Sequence, residues 1–386
     1  MEWYNITDMK IVNVILGNTY NEGWGYQENL ISKWQKLNGN DVTVITSRMI
    51  NNKNDDGYHL TDSCEYVNDL GIKVIRLEYL FNTWAIRTLR SFKGLYKTLK
   101  REKPDYIFIH NGQFLDSLKV CRYLKKHPEC KAVCDNHADE TNSAKSFFPK
   151  LLHYTVWNFC MNRLNHYVSC FYGVLPIRCG FLKKYYHLPD EKVKLLVMGV
   201  DDELIEPAQK DAEKFRNEHH LSDKQLNIVT GGKIDHYKTE TLNLMEAVKN
   251  RKNVRLFIFG SIGDEIRDRF NQLVADNITY LGWLKQDESY AVLKACDIAV
   301  FPGRHSVIWE QCVGLGVPLI IRRWPGTDHV DINGNCIFLE NGSVKELNET
   351  IEKISDRNTL NKMKKRAESS DRDLFSYRSI AQRSIV

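Results

Sequence analysis

What this 386-residue sequence has little of narrows its class first. It has no large surplus of one charge: 54 Lys plus Arg face 49 Asp plus Glu, a formal net charge of +5. Over this length that is too little to argue for nucleic acid, which needs basic charge concentrated on one face. It has no uninterrupted apolar run of the roughly 18 residues that a membrane span requires. The apolar stretch 147–177 is broken by Lys150, His153, Asn158, Asn162, Arg163, Asn165 and His166. The start, Met1-Glu2-Trp3-Tyr4-Asn5, lacks a basic segment followed by an apolar core, so no secretory leader is expected and the protein reads as cytoplasmic. Ten cysteines are scattered, several within apolar runs such as Val133-Cys134, which fits buried thiols in a reduced compartment better than a disulfide framework. With 42% hydrophobic and 27% charged residues the chain is globular, and its length suits two domains.

Short apolar runs alternate with helical patterns through the first half. Runs at 10–16, 42–45, 73–77, 106–109 and 131–134 are interleaved with amphipathic stretches at 29–37, 86–101 and 115–125. This rhythm predicts strand–helix units and a parallel sheet covered by helices. A second series has apolar runs at 227–230, 254–259, 278–281, 298–301 and 317–321, with helical segments at 239–250, 264–276, 289–295 and from about 307. The expected fold class is α/β: two Rossmann-like, doubly wound parallel-sheet domains facing across a cleft. Met198-Gly199-Val200-Asp201 lies between the series, and the expected domains are 1–198 and 199–365. Ligands of such sheets collect beyond the carboxyl ends of the strands, so chemistry is expected at 17–25, near His137 and after the second-half strands.

Three loops carry the candidate residues. Gly23 and Gly25 lie between the first strand and first helix, where they would let backbone approach a ligand, although a Gly pair is also an ordinary turn. Gly231-Gly232-Lys233 and Lys238 follow the first strand of the second half. Two ammonium groups beside exposed backbone amides suit a diphosphate, against the bland reading of solvated lysines. The stretch 302–318 is the most informative. It holds Arg304, His305, Ser306, Val307 and, inside an apolar helix, Glu310, a carboxylate that burial would penalise without donors. Ribose hydroxyls would supply donors; backbone or Arg304 would do so in a purely structural role. Gly314 and Gly316 fit close packing of that helix on the sheet. Cys130, Cys134 and His137 lack the second paired cluster of a zinc site, so no metal is expected.

The order Gly232-Lys233, Lys238, Phe259-Gly260, Leu281-Gly282, Ala295-Cys296-Asp297, Phe301-Pro302 and Glu310 followed by Gly316-Val317-Pro318 resembles the retaining family 4 glycosyltransferases of the GT-B fold, the glycosyl transferases group 1. His137 and Met198-Gly199-Val200-Asp201 are similar to the family's His after a central strand and its link between domains. Phe375-Ser376-Tyr377 is similar to the start of its final helix, which implies a segment 366–386 crossing back to the first domain. The resemblance implies transfer of a sugar from a nucleoside-diphosphate sugar to a glycan or lipid-linked acceptor in cell-surface polysaccharide synthesis. Lys233 and Lys238 would neutralise the diphosphate, and Glu310 would hold the ribose. Ser306 and Val307 would meet phosphate and sugar, Trp283 and Leu284 the base, and His137 the transferred sugar. Gly23 and Gly25 would let the first loop close. One departure stands out. Pro302 occupies the place of the family's earlier Glu, leaving Arg304 and His305 where sugar hydroxyls would be recognised.

The implied chemistry uses no metal or other cofactor, because cationic groups and helix N-termini stabilise the leaving diphosphate. Retention without an evident nucleophile implies attack from the leaving-group face; Asp139 or Glu140 as base or nucleophile is the double-displacement alternative. Arg87, Arg90, Lys93, Lys97, Lys100 and Arg101 recur near helical spacing among apolar residues. With the aromatic-rich stretch 147–172 they point to peripheral contact with an anionic membrane at its inner face, no nucleic acid being involved. Other readings are a sugar-nucleotide epimerase of the same architecture and a non-catalytic nucleotide-sugar-binding partner.

Overall fold

The computed structural model describes residues 8–51, 58–81 and 83–386; the N-terminal Met1–Asn5 reading lies outside the described residues. The chain divides into two units, Met1–Val197 with Tyr377–Val386, and Met198–Ser376. Residues 366–376, which the sequence reading joins to the returning helix, therefore belong to the second unit. There the Val200 N–H donates to the Phe375 carbonyl (2.8 Å).

The first unit holds β1 (Lys10–Ile15), β2 (Asp41–Ser47), β3 (Met49–Asn51), β4 (Tyr58–Leu60), β5 (Cys64–Val67), β6 (Lys73–Leu77), β7 (Tyr106–Ile109), β8 (Lys131–Asn136), β9 (Phe171–Gly173) and β10 (Val193–Leu195). Eight of these form one sheet in the order β10-β9-β8-β7-β1-β2-β6-β5, and β3 pairs with β4. The central strands are rich in Val and Ile and buried on both faces, as a parallel sheet covered by helices requires. The antiparallel edge strand β5 was not foreseen; its pattern is mostly exposed and carries no apolar run.

The second unit holds β11 (Leu226–Ile234), β12 (Val254–Ile262), β13 (Ile278–Tyr280), β14 (Ile298–Phe301), β15 (Leu319–Arg322) and β16 (Cys336–Leu339). They form an all-parallel sheet in the order β13-β12-β11-β14-β15-β16. Counted within the unit this is 3-2-1-4-5-6, the doubly wound Rossmann order, with its reversal between β11 and β14. Each unit has its own apolar core.

The expected single basic helix at 86–101 is two short helices, Trp84–Leu89 and Leu95–Glu102. Arg90 and Gly94 adopt left-handed backbone between them, φ 56° and 81°, which no helix continues through. Three of its charges are also spent internally. Lys93 pairs with Glu78 (2.9 Å), Arg101 with Glu65 (2.6 Å) and Glu102 (2.8 Å), and Arg90 donates to the Gln113 carbonyl. All ten cysteines are free. Among the described residues no helix is long and apolar enough to cross a membrane.

Candidate active site

In the second unit the connections from β11 and β14 leave the sheet where strand order reverses, the position at which open α/β sheets bind ligands. Residues after both strands meet there. A Cβ on Gly232 would lie 3.2 Å from Ile308 Cδ1, 3.7 Å from Lys238 Nζ and 3.8 Å from Ser306 Oγ. Gly232 itself has φ +105°, which a side chain would strain. An ammonium, a hydroxyl and bare backbone are thus gathered at the first turn of the helix Ile308–Leu315, a favourable place for an anion. Burial holds the Lys238 pKa below the usual lysine range, with Asp235 opposing. Lys233 is exposed. β11 runs on to Ile234 rather than ending before Gly231, so Lys233 lies on a strand paired with Ser261 and not in the loop.

Glu310 is fully buried in that helix. Its Oε1 lies 2.8 Å from His305 Nε2 and 2.9 Å from His329 Nε2, while Oε2 and His329 Nδ1 have no partner. Burial raises its pKa, but the two imidazoles more than reverse this and lower it to about 2, so it is ionised at neutral pH. With both Nε2–H groups given to Oε1, the carboxylate oxygen Oε2 is an acceptor left without a donor. Hydroxyl groups would meet it. His305, Glu310 and His329 lie close enough to hold a metal ion, their ligand atoms within 4.8 Å of one another. Yet 2.8 and 2.9 Å are hydrogen-bond separations, and His329 Nδ1 lacks the outer partner that metal-bound imidazoles almost always have.

Other expectations are corrected here. Arg304 does not serve Glu310; it lies 4.5 Å over the Tyr237 ring and is exposed. Gly314 faces Val200 and the Phe375 carbonyl rather than the sheet, and Gly316 ends the helix with φ 74°. Trp283, 75% exposed, and half-buried Leu284 sit on the loop after β13. That loop is tied to the end of β12 by the Gly260 N–H donating to Gly282 (2.7 Å) and the Tyr280 hydroxyl donating to Gly260 (2.7 Å). Val307 is the residue before the Glu310 helix, and its carbonyl accepts from Gln311 (3.1 Å). Next to buried Pro302, the Gly303 carbonyl accepts from Trp324 Nε1 (3.2 Å). Arg322 stacks on that indole and pairs with Glu240.

In the first unit strand order reverses between β1 and β7. His110, directly after β7, is fully buried between Asp135 of β8 (Nδ1 to Oδ2, 3.0 Å) and Asn13 of β1 (Nε2 to Oδ1, 3.2 Å). Asp135 Oδ2 also faces His137 Nε2 at 3.4 Å, and its Oδ1 accepts the Asn111 N–H (2.8 Å). Asn111, at φ 56°, returns its own side-chain oxygen to the His137 N–H (2.8 Å). Gly17 passes so close that a Cβ would lie 2.3 Å from the Asn111 carbonyl. Burial lowers the His137 pKa, but Asp135, aided by Glu28, outweighs it and the net direction is upward. Glu28 is buried at the start of the first helix, where Asn18 donates to it. Gly23, at φ +72°, has open space around it. Beside it Glu22 is held by Tyr66 (2.9 Å) and Asn68 (3.1 Å), and Gly25 is half-buried.

Neither alternative base is free. Asp139 accepts from Thr141, Asn142 and Arg178 Nε (3.0 Å). Glu140 is exposed, with its Oε1 held by Lys184 (2.8 Å) and Tyr185 (2.7 Å), which keep its pKa below the usual range. Cys130 and Cys134 are buried thiols raised by burial.

Residues 211–370 match the model of the Glycosyl transferases group 1 family. The matched stretch lies within the second unit. An uncharacterized 41.2 kDa protein in the cps region of Klebsiella pneumoniae is 27% identical over 154 residues, 37% of this chain and 40% of that protein, so the match spans about two fifths of the relative. Sucrose-phosphate synthase from Thermosynechococcus elongatus is similar in fold, with TM-score 0.66, 16% identity and 97% of each chain covered. Anabaena HepE in complex with UDP and glucose gives 0.65 and 14% over 97% of this chain and 98% of that one. UDP-GlcNAc 2-epimerase from Neisseria meningitidis bound to UDP-GlcNAc gives 0.59 and 12% over 97% of each. At these identities the likeness is one of fold, the GT-B architecture of two parallel-sheet Rossmann-like domains.

Within the matched stretch, Gly232, Lys238, His305, Ser306 and Glu310 come together from the connections after two strands. His329 was missed. It lies on the loop after β15, nineteen residues from Glu310, and no periodicity marks it. His110 and Asp135 were also missed, although two strand ends in adjacent register, Ile109 beside Cys134, could have revealed them.

Proposed function

We propose that this chain is a glycosyltransferase that moves a sugar from a nucleoside-diphosphate sugar to a glycan or lipid-linked acceptor in surface-polysaccharide synthesis. The observation that carries this is the ionised, buried Glu310 with one oxygen doubly held and the other awaiting a donor, beside the Lys238–Ser306–Gly232 anion cradle. A ribose hydroxyl meets Oε2, and a diphosphate meets the ammonium and the helix N-terminus. Because Glu310 is fully buried, His305 on its loop is the neighbour that yields as the ribose enters. The glycosidic bond to the diphosphate breaks while the acceptor oxygen bonds the same carbon from the same face, and the leaving phosphate oxygen takes the acceptor's proton. Lys233 and Lys238 offset the charge that develops, with no metal invoked. His137 contacts the transferred sugar, and the loop carrying Trp283 and Leu284 meets the base. The relative's place in a cps region supports a polysaccharide acceptor.

Peripheral contact with an anionic membrane is part of this reading, supported by the aromatic-rich stretch. Phe147, Phe148, Leu151, Tyr154 and Phe159 are 47–79% exposed along one helical stretch, with Lys150 and Arg163 on the same stretch. The protein acts at the inner face of the membrane in this account.

Calorimetry with uridine, guanosine, adenosine and cytidine diphosphates tests the site. One of them binds the wild type, and Glu310→Gln or Lys238→Ala weakens it by roughly 10- to 100-fold, the range for a hydrogen bond to a charged group. Silence with all four would sink the assignment. With sugar nucleotides and acceptor, free diphosphate that appears only when acceptor is present marks transfer. An altered donor marks epimerisation, and binding without turnover marks a non-catalytic partner.

A further inference from the structure

His110, Asp135, Asn13, Gln35 and Ser384 are each fully buried, and they form one continuous path from the His137 pocket of the first unit to its C-terminal helix, Tyr377–Arg383. The direction of each hydrogen bond can be followed from the far end. The Ala381 carbonyl can only accept, so the Ser384 hydroxyl, 2.6 Å away, donates to it. Ser384 Oγ then accepts from Gln35 Nε2 (3.1 Å), which turns Gln35 Oε1 toward Asn13 Nδ2 (2.8 Å). Asn13 Oδ1 is left facing His110 Nε2 (3.2 Å), and an acceptor there demands an N–H. The other ring nitrogen, Nδ1, faces the Asp135 carboxylate and must be an N–H as well.

We propose that Asp135 is a positioning residue for His137, holding Nε2 inward and leaving Nδ1 for the ligand, and that His110 balances its charge as an imidazolium fixed by the relay to Ser384. Asp135 Oδ2 is then shared by two imidazole N–H groups, and Oδ1 is held by Asn111, so the carboxylate has no freedom to turn. A fully buried carboxylate without such a counter-charge would be driven to protonate. Asp135 is instead held well below the usual carboxylate range, His137 and His110 outweighing its burial. The groups facing His137 are Asp135 on β8, Glu28 on the first helix and Arg178 on the helix Pro176–Tyr186; the first two favour its charged form and Arg178 opposes. The role of His137 rests on the function proposed above; the protonation of His110 does not.

Histidine ring ¹⁵N NMR on the full-length chain tests the relay without any substrate. At pH 7.5 both His110 nitrogens are expected to carry protons and His137 to carry one on Nε2. A neutral His110 would mean that both amides run the other way and would overturn the relay. In Asp135→Asn with unchanged far-UV circular dichroism, the His137 ring signals shift and its titration moves to lower pH. Turnover falls on the order of 100-fold, the scale of a misplaced reacting group, while nucleotide affinity stays at the wild-type value. Unchanged His137 signals in a folded Asp135→Asn protein would overturn the positioning role. Absence of transfer with every donor would count against the proposed function and leave the NMR result standing.

Discussion

At the reversal point of the first sheet each buried polar group on the path from Asp135 to Ser384 has a partner, whereas at that of the second Glu310 Oε2 and His329 Nδ1 have none. The two sites are built from the same parts, a buried carboxylate between two imidazoles, carried on β8 in the first and on the helix Ile308–Leu315 in the second. Satisfaction separates them. A closed network is a rigid mount, because each group fixes the next; an open one leaves Glu310 Oε2 as an acceptor for which a ligand supplies the missing donor. The first unit accordingly reads as the part that holds a side chain still, and the second as the part that takes up a nucleotide.

This contrast can be broken by mutation. Asp135→Ala leaves the buried His110 facing no counter-charge and should cost about 3–5 kcal/mol of stability; Glu310→Gln, which keeps an oxygen for both imidazoles, should cost less, about 1.5–3 kcal/mol, while it loses ligand. Urea denaturation of both variants checks this, and equal losses would erase the distinction. Acid sharpens it. His153 is buried between Ser143 and Tyr186, and burial, aided by Arg90, lowers its pKa to about 4. The unfolded chain binds that proton from about pH 6.5 downward, so the first unit loses stability as pH falls from 6.5 to 4, by on the order of 3 kcal/mol. The Glu310 contribution is present above the ordinary Glu range and is lost only as pH falls toward 2. Hydrogen exchange at pH 5 should therefore accelerate around 143–186 before it does around 302–316, and His153→Gln should remove that lead.

Smaller effects come from the glycines. Gly314→Ala puts a Cβ 2.5 Å from Val200 Cγ1 and should lower stability by about 1–3 kcal/mol. Gly23→Ala, with open space but φ +72°, should cost about 1 kcal/mol and act mainly on turnover if the first loop moves. Melting temperature and steady-state rates distinguish the two.

Much of this is legible in the sequence. Val and Ile runs at regular spacing announced both sheets, and an acidic residue inside the apolar run Ile308-Trp309-Glu310-Gln311-Cys312-Val313 announced a charge needing partners. The identity of those partners was hidden, because His329 arrives from another strand end and only the fold brings it near. The basic run at 86–101 misled for a related reason. Helical spacing cannot register that Arg90 and Gly94 sit in left-handed backbone, or that Glu78 and Glu65 wait on a loop and another strand to pair with Lys93 and Arg101.

Tyr106 and Tyr172 in the first sheet each donate a hydroxyl to a carbonyl of the final segment, Ser384 (2.9 Å) and Arg383 (2.9 Å). The first unit is thus discontinuous in sequence, sealed by residues that leave the ribosome only after the whole second unit has been made. Its nascent strands must wait in an unfinished state through the synthesis of some 180 residues, a span of about 10 to 40 seconds at ordinary elongation rates. Chaperone dependence during translation would then fall on the half of the molecule that ends up most tightly wired.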